Sequence, residues 1–143
     1  MKASSPKPRT AGFTLVEIVI VLTIIAILAG GSIYMLKGLV GEAQDSRVLQ
    51  DLNAIKVALD SYERNNYFKP PNQEQGLNAL VEEPTSDPKP QKWHQYFEEL
   101  PKDPWGNVYQ YKVPAARSGK AYDLFSLGKD GVESDDDIGN WKK

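Results

Sequence analysis

The side chains with the clearest chemical potential are carboxylates near the carboxyl end of the chain. Five of them fall within eight residues: Asp130, Glu133, Asp135, Asp136 and Asp137. Like charges about 4 Å apart repel by about 1 kcal/mol even in water, so a folded loop of this composition needs a cation. Oxygen ligands without His or Cys favour Ca²⁺ over Mg²⁺, which demands a stricter octahedron. The spacing is not that of an EF-hand, and a solvated acidic tail stays open as the alternative.

A single carboxylate stands inside a long apolar run nearer the amino terminus. The run covers residues 13–36, which are 24 residues with one charge, Glu17. As a helix it would be about 36 Å long, enough to cross a hydrocarbon core of about 30 Å. The run therefore predicts a membrane span. Glu17 is costly there unless it has a partner, and a glutamate that reaches the headgroup water is the alternative.

The residues before the apolar run form a short basic segment. Residues 1–12 carry Lys2, Lys7 and Arg9 without any acid, and they end in small residues directly against the run. A secretory signal instead has its small-residue cleavage site after the apolar region. The positive-inside rule places the basic segment in the cytoplasm, so the chain after the span is expected to face outward.

Length and composition restrict what the remainder can do. The chain has 143 residues, no cysteine and one histidine, His94. Its net charge is −2, and without the three basic residues of the leader 14 Lys and Arg face 19 Asp and Glu, a charge of −5. An acidic chain of this kind is a poor match to nucleic acid. No phosphate-binding loop, nucleophile motif or metal-hydrolase pair accompanies His94, so the sequence favours a non-enzymatic role.

Apolar residues at helical spacing follow the apolar run. Their separations are four, three, four and three residues, and they are Val48, Leu52, Ile55, Leu59 and Tyr62. This spacing predicts a helix with one buried face. The pattern ends near residues 65–66, shortly before two consecutive prolines. Because it lasts only about two heptads, it favours a domain core over a coiled-coil seam.

Shorter elements complete the predicted domain. Residues 72–81 can form a short helix, and the proline-containing residues 85–91 are typical of a loop. A tight turn is predicted at 100–107, and residues 108–113 and 122–127 are predicted strands of an antiparallel hairpin. The expected fold class is α+β: a long N-terminal helix, membrane-spanning in its first half and amphipathic in its second, packed on a small antiparallel sheet.

The junction between the basic segment and the apolar run resembles the processing site of type IV pilins and type II secretion pseudopilins. The residues that carry the resemblance are Gly12-Phe13-Thr14-Leu15-Val16-Glu17. The resemblance implies that a prepilin peptidase cuts between Gly12 and Phe13 and that Phe13 receives an N-methyl group. It also implies that Glu17 of one subunit pairs with the Phe13 amine of the next. That pairing would neutralise two charges where an unpaired charge is costly.

Motifs in the second part of the chain narrow the resemblance to the major pseudopilins of type II secretion. In chain order they are Glu74-Gln75-Gly76-Leu77, Leu100-Pro101-Lys102-Asp103-Pro104-Trp105-Gly106, Ser126-Leu127-Gly128-Lys129-Asp130-Gly131 and Asp136-Asp137-Ile138-Gly139-Asn140-Trp141. This resemblance implies a pilin-like fold in three parts. They are a leader at 1–12, a transmembrane and assembly helix at 13–36, and a periplasmic domain at 37–143.

The same resemblance implies a C-terminal loop that binds Ca²⁺. The expected ligands are two backbone carbonyls and four side chains: the carbonyls of Leu127 and Val132, and the side chains of Asp130, Ser134, Asp136 and Asp137. Trp141 is expected to close this loop onto the core.

The function implied by the resemblance is that of an assembly subunit. It would be stored in inner-membrane lipid and would polymerise with copies of itself into a periplasmic fibre that helps to export folded proteins across the outer membrane. The implied partners are minor pseudopilins, an inner-membrane platform and a cytoplasmic assembly ATPase. Two alternatives stay open. One is a type IV pilus or DNA-uptake pilin, which usually has a cysteine pair or basic patches, and the other is a singly anchored periplasmic enzyme or binding module.

Overall fold

The computed structural model describes residues 12–141, and of residues 32–37 it describes the helical backbone alone. The expected leader therefore lies outside the described residues except for Gly12, and so do its basic residues Lys2, Lys7 and Arg9. The chain divides into two compact units, the first ending at Val40 and the second beginning at Gly41. Each unit is described by itself.

Helix α1 runs from Leu15 to Asn65 and belongs to both units. In the first unit its described large apolar side chains are all exposed, with values that range from 46% at Ile18 to 81% at Leu15. Among the described residues, no helix is found that is both long and apolar enough to cross a bilayer. The membrane span expected at 13–36 is therefore not confirmed by the structure.

In the second unit, α1 has one buried face, as its spacing predicts. Val48, Ile55 and Leu59 are fully buried, and Leu52 and Tyr62 are nearly so. The helix ends where expected. The Asn66 side chain donates to the Tyr62 carbonyl at 2.8 Å, and the Phe68 amide donates to the Glu63 carbonyl at 2.9 Å. These bonds satisfy carbonyls that the last turn leaves without helical partners.

The predicted short helix at 72–81 is only partly present. The structure has a 3₁₀ helix at Gly76–Leu80 and a turn before it. In that turn Asn72 and Gln75 bond each other reciprocally: the Gln75 amide donates to Asn72 Oδ1 at 2.8 Å, and the Asn72 amide donates to Gln75 Oε1 at 3.2 Å. Side-chain bonds of this kind give the backbone an alternative to helix, which explains the shorter element.

Three short antiparallel strands form the sheet of the second unit, in the order β1-β2-β3. They are β1 (Gln110–Lys112), β2 (Asp123–Ser126) and β3 (Ile138–Gly139). Tyr111 pairs with Leu124, and Phe125 pairs with Gly139. The predicted hairpin is confirmed with shorter strands. Strand β3 was not expected, because two residues between acidic and polar neighbours carry no alternating pattern.

The core of the second unit lies between the buried face of α1 and the sheet. Its members are Val48, Leu52, Ile55, Ala58, Leu59, Tyr62, Leu77, Ala79, Leu80, Tyr109, Tyr111, Tyr122 and Leu124. Two of the tyrosine hydroxyls in this cluster donate to polar partners. Tyr109 donates to Asp51 Oδ2 on α1, and Tyr111 donates to the Pro71 carbonyl, both at 2.8 Å. The expected α+β arrangement, a helix packed on a small antiparallel sheet, is confirmed for this unit.

Candidate functional site

The first residues of α1 form a capping box around Glu17. Glu17 Oε2 accepts hydrogen bonds from the Thr14 amide and the Thr14 hydroxyl, each at 3.1 Å, and the Glu17 amide donates to Thr14 Oγ1 at 3.2 Å. These bonds satisfy donors that the start of a helix leaves free. This role was not expected from the sequence, although Thr14-Leu15-Val16-Glu17 has the spacing of a capping box. Phe13 beside it is 83% exposed.

The acidic loop, defined as residues 128–137, is held at its start by the predicted turn at 100–107. The buried Asp103 accepts a 2.6 Å bond from the Ser126 hydroxyl, and that hydroxyl in turn accepts the Gly128 amide at 3.0 Å. The Asn107 side chain donates to the Gly128 carbonyl at 3.0 Å. Two motifs far apart in the sequence are therefore one hydrogen-bonded unit. Asp103 was not expected as a supporting residue.

Within the acidic loop, the expected ligands fall into two groups. Asp130 accepts the Val132 amide at 3.1 Å within a local turn. Ser134, Asp136 and Asp137 are joined, because the Ser134 hydroxyl contacts Asp136 Oδ1 and the Ser134 amide donates to Asp137 Oδ2 at 3.2 Å. Gly128 and Gly131 have φ of 68° and 69°, a conformation that favours glycine, so both bends depend on it.

Asp137 is the most enclosed carboxylate of the acidic loop, with no exposed surface. Its Oδ2 is bonded, but its Oδ1 is buried without a hydrogen-bond partner in the part of the chain that the structure describes. A buried carboxylate oxygen without a partner is costly. Asp137 therefore has an open position for a further donor or a cation.

Two basic side chains from the hairpin connection and β1 reach the acidic loop. Arg117 Nη1 donates to Asp137 Oδ2 at 2.9 Å and to the Ser134 carbonyl at 3.0 Å. Lys112 Nζ contacts both carboxylate oxygens of Glu133 at 2.6 and 2.7 Å. The Lys112 hydrogen bond is the main cause that lowers the pKa of Glu133. Neither basic residue was identified from the sequence, because their partners lie about 20 residues away.

The hairpin connection that carries Arg117 is fixed by Asp123. Its buried carboxylate accepts the backbone amides of Ala116, Arg117 and Ser118 at 2.6 to 2.8 Å. Burial alone would raise the pKa of Asp123, but the hydrogen bonds from Ser118, Arg117 and Ala116 outweigh it and lower the pKa. Asp123 is therefore charged at neutral pH and orders the hairpin connection that carries Arg117.

Trp141 covers the end of the sheet beside the acidic loop. Its ring lies 5.2 Å from the Phe125 ring and 5.1 Å from the Arg117 guanidinium carbon. It also lies close to Gly139, where an added Cβ would stand 2.5 Å from the ring. Trp141 thus packs Arg117 of the hairpin connection against Phe125 of β2. Its expected role in closing the acidic loop onto the core stays a prediction.

The expected calcium ligands fit a hard cation in kind, but the structure does not gather them. They are oxygen donors throughout, and Asp137 Oδ1 is open. Within residues 12–141, however, no group of three or more Asp, Glu, His or Cys side chains is placed so that it could hold a metal ion. The donor types are those that calcium prefers, and calcium binding by this loop stays a prediction.

An exposed apolar helix start, followed along the chain by a small α+β unit with an acidic C-terminal loop, defines the class of pilin-like assembly proteins. A family model described as "Type II secretion system (T2SS), protein G" matches residues 36–141. A second model, described as "Prokaryotic N-terminal methylation motif", matches residues 7–33. The chain belongs to the type II secretion system protein G family.

Named relatives agree with this assignment over nearly the whole chain. The chain is 43% identical over 139 residues to the type II secretion system core protein G of Pseudomonas aeruginosa, covering 93% of this chain and 96% of the relative. It is 44% identical over 138 residues to that of Aeromonas hydrophila, covering 94% of each. The crystal structure of the major pseudopilin from the type 2 secretion system of enterohaemorrhagic Escherichia coli matches with a TM-score of 0.66 at 43% identity, over 73% of this chain and 91% of that one. The resemblance to major pseudopilins is confirmed.

Proposed function

We propose that this chain is the major structural subunit of a type II secretion pseudopilus, a periplasmic fibre that helps to move folded proteins across the outer membrane. The observation that carries the proposal is the exposure of the described apolar side chains in the first unit of α1, in a member of this family. An apolar surface of this length in a single chain marks an interaction surface. Copies of the same helix packed side by side would cover it. Minor pseudopilins, an inner-membrane platform and an assembly ATPase are the further partners of this proposal.

Before assembly, lipid is the proposed partner of the same surface. Residues 13–36 hold one charge in 24 positions, which supports storage in the inner membrane with residues 1–12 in the cytoplasm and residues 37–143 in the periplasm. A prepilin peptidase would cut between Gly12 and Phe13 and methylate Phe13. Mass spectrometry of the chain purified from its host tests this step. The expected N-terminus is Phe13 carrying one methyl group, and a chain that begins at Met1 would contradict it.

Glu17 is the proposed assembly residue. In the single chain its carboxylate caps its own helix through Thr14. Cleavage creates a charged amine at Phe13, and the Glu17 carboxylate of a neighbouring subunit can neutralise that amine in apolar surroundings, where unpaired charges are costly. A capping role and a pairing role are compatible, because the carboxylate has several acceptor positions.

A cross-linking experiment separates capping from assembly. The chain has no cysteine, so a cysteine at the exposed Val19 gives a clean probe of contacts between copies in the membrane. In this background Glu17→Ala is expected to insert but to lose the cross-linked species. Thr14→Ala, the matched control, removes the cap and keeps the carboxylate, so cross-linking is expected to persist. Equal cross-linking by the Glu17→Ala chain would contradict the proposed pairing.

Calcium is the proposed ligand of the acidic loop. The ligands would be the Leu127 and Val132 carbonyls with the side chains of Asp130, Ser134, Asp136 and Asp137. When bound, the ion would supply positive charge among the five carboxylates and connect the strand end to the loop. The buried Oδ1 of Asp137, which has no hydrogen-bond partner among the described residues, supports the proposal. The thermal unfolding midpoint of the full chain is expected to fall when a chelator is added, and an unchanged midpoint would contradict the proposal.

A further inference from the structure

Arg117 contacts the acidic loop at three points. Its Nη1 donates to Asp137 Oδ2 at 2.9 Å and to the Ser134 carbonyl at 3.0 Å, and its Nη2 lies 3.8 Å from Glu133 Oε1. The planar guanidinium group holds several donors in a fixed geometry, which a lysine cannot reproduce. A cation from outside the acidic loop therefore contacts two acidic side chains of the loop, Asp137 and Glu133, and one of its backbone carbonyls.

The Arg117 side chain is held in this position from both ends. Its backbone amide donates to the buried Asp123 at 2.8 Å, and its guanidinium carbon lies 5.1 Å from the Trp141 ring centre. A cation over an aromatic face is attracted to it. The position is therefore built into the fold of the second unit rather than reached by a free surface side chain.

The contact with Asp137 matters most because that carboxylate is fully buried. Its Oδ2 accepts from Arg117 and from the Ser134 amide, while its Oδ1 stays open within the described residues. Loss of a charged partner from a buried carboxylate is strongly destabilising. Arg117 thus neutralises Asp137 through one oxygen and leaves the other for a different partner.

We infer that Arg117 is a tethered cation of the acidic loop, which holds the loop folded in the absence of metal and makes folding of the second unit less dependent on calcium. The inference rests on the calcium site proposed above. Both cations would act on Asp137 and would bring positive charge to the acids around it, so either one alone would compensate part of the repulsion in the loop. Loss of Arg117 should therefore matter most when the metal is absent.

The test compares thermal unfolding of the full chain in detergent micelles, followed by tryptophan fluorescence, with a chelator and with saturating calcium. Arg117→Gln removes the charge, and its midpoint with chelator is expected to fall by roughly 5–10 °C, the scale of a partly buried ion pair in a domain of about 100 residues. Calcium is expected to recover most of that loss. The wild-type chain is expected to show a smaller calcium shift.

Lys120→Gln is the matched control. Lys120 is a cation of the same hairpin connection, but its Nζ donates to the Asn140 carbonyl at 2.7 Å rather than to the acidic loop. Its calcium shift is expected to equal that of the wild-type chain. If Arg117→Gln lowers the midpoint equally with and without calcium, or does not lower it, Arg117 is a packing residue and the inference is wrong.

Two further outcomes keep the calcium proposal and this inference apart. A calcium shift in the wild-type chain that Arg117→Gln does not enlarge overturns the inference and leaves the calcium site standing. No calcium shift in either chain overturns the calcium site, and with it the shared role.

If Arg117→Gln does not fold in either condition, Arg117→Lys replaces it. The retained charge should allow folding, and a calcium shift larger than that of the wild type supports the inference, while an equal one overturns it.

Discussion

The two units of the chain differ in where their apolar side chains find partners. In the second unit Ile55, Leu59 and Leu124 are fully buried against one another and against the tyrosines of the sheet. In the first unit the described large apolar side chains are all exposed, Leu22 by 60%. Exposed apolar surface of this kind indicates a missing partner. The second unit thus contains the interactions that fold it, while the described apolar side chains of the first unit are left exposed.

The largest expected effect is unfolding of the second unit at alkaline pH. Burial is the first cause that raises the pKa of Tyr62, Tyr109, Tyr111 and Tyr122. A raised folded-state pKa gives stability that is complete below the unfolded-state value, about 10, and is lost as pH rises through the folded-state value. The near-ultraviolet circular dichroism of the full chain is therefore expected to be constant from neutral pH to about 10 and to collapse above it.

Tyr109→Phe sharpens this prediction. The substitution removes one titrating hydroxyl and its 2.8 Å bond to Asp51. At neutral pH it is expected to cost about 1 kcal/mol, the usual value of such a bond, while the loss of stability between neutral and alkaline pH becomes smaller. A wild-type spectrum that persists at strongly alkaline pH would show that these tyrosines can ionise without unfolding the core.

A pair of leucine truncations tests the contrast between the units directly. Leu59→Ala removes a fully buried side chain and is expected to lower the free energy of unfolding by about 2–5 kcal/mol. Leu22→Ala removes an exposed one and is expected to leave that quantity unchanged, while it weakens cross-linking between copies in the membrane. Denaturant unfolding followed by tryptophan fluorescence measures the first effect. If Leu22→Ala destabilised the second unit as much as Leu59→Ala does, the stabilities of the two units would be coupled.

Gly139→Ala is expected to have an intermediate effect. An added Cβ would stand 2.5 Å from the Trp141 ring, so the ring must leave Phe125 and Arg117. Overpacking of this kind costs about 1–3 kcal/mol. Gly41→Ala is the matched control, because nothing lies within 4 Å of its added Cβ and alanine favours helix. An unchanged unfolding midpoint for Gly139→Ala would show that Trp141 is not held against the strand.

The fold of the second unit could be predicted in most of its parts because its signals are local. The spacing of Val48, Leu52, Ile55, Leu59 and Tyr62 sets the buried face of α1, and the two β-rich segments pair as a hairpin. Strand β3 could not be predicted, because its two residues owe their conformation to Phe125 and Ser126 across the sheet. The short helix was predicted to begin too early, because the Asn72 and Gln75 side chains bond the backbone there instead.

The acidic residues of the candidate site could be predicted from the sequence, but the residues that hold the acidic loop in place could not. Composition and resemblance point to Asp130, Asp136 and Asp137, whereas the roles of Asp103 and Arg117 depend on contacts across 20 residues or more. Nothing in the local sequence marks Arg117 as the partner of Asp137. The Thr14–Glu17 capping box is the opposite case, because its signal is local and was present in the motif used for the resemblance.

The smallest expected effect is at that capping box, and it concerns the first unit alone. Thr14→Ala removes the hydroxyl that accepts the Glu17 amide and donates to Glu17 Oε2, and loss of such a cap costs about 0.5–2 kcal/mol. Hydrogen exchange of the first helical amides in micelles is expected to accelerate accordingly. Thr23→Ala is the matched control, because its hydroxyl bonds the Val19 carbonyl at 2.7 Å within the helix and caps no terminus.

Unchanged exchange in the Thr14→Ala chain would mean that Glu17 is not engaged in capping and is free for another partner before assembly. Accelerated exchange together with intact cross-linking would instead show that the carboxylate has two roles, one after the other. It would first complete the helix of a single chain and then meet the terminus of a neighbour. Only the second role requires another copy of the chain. Glu17 would then have, in turn, a partner within its own chain, like the second unit, and a partner in another copy, as proposed for the first unit.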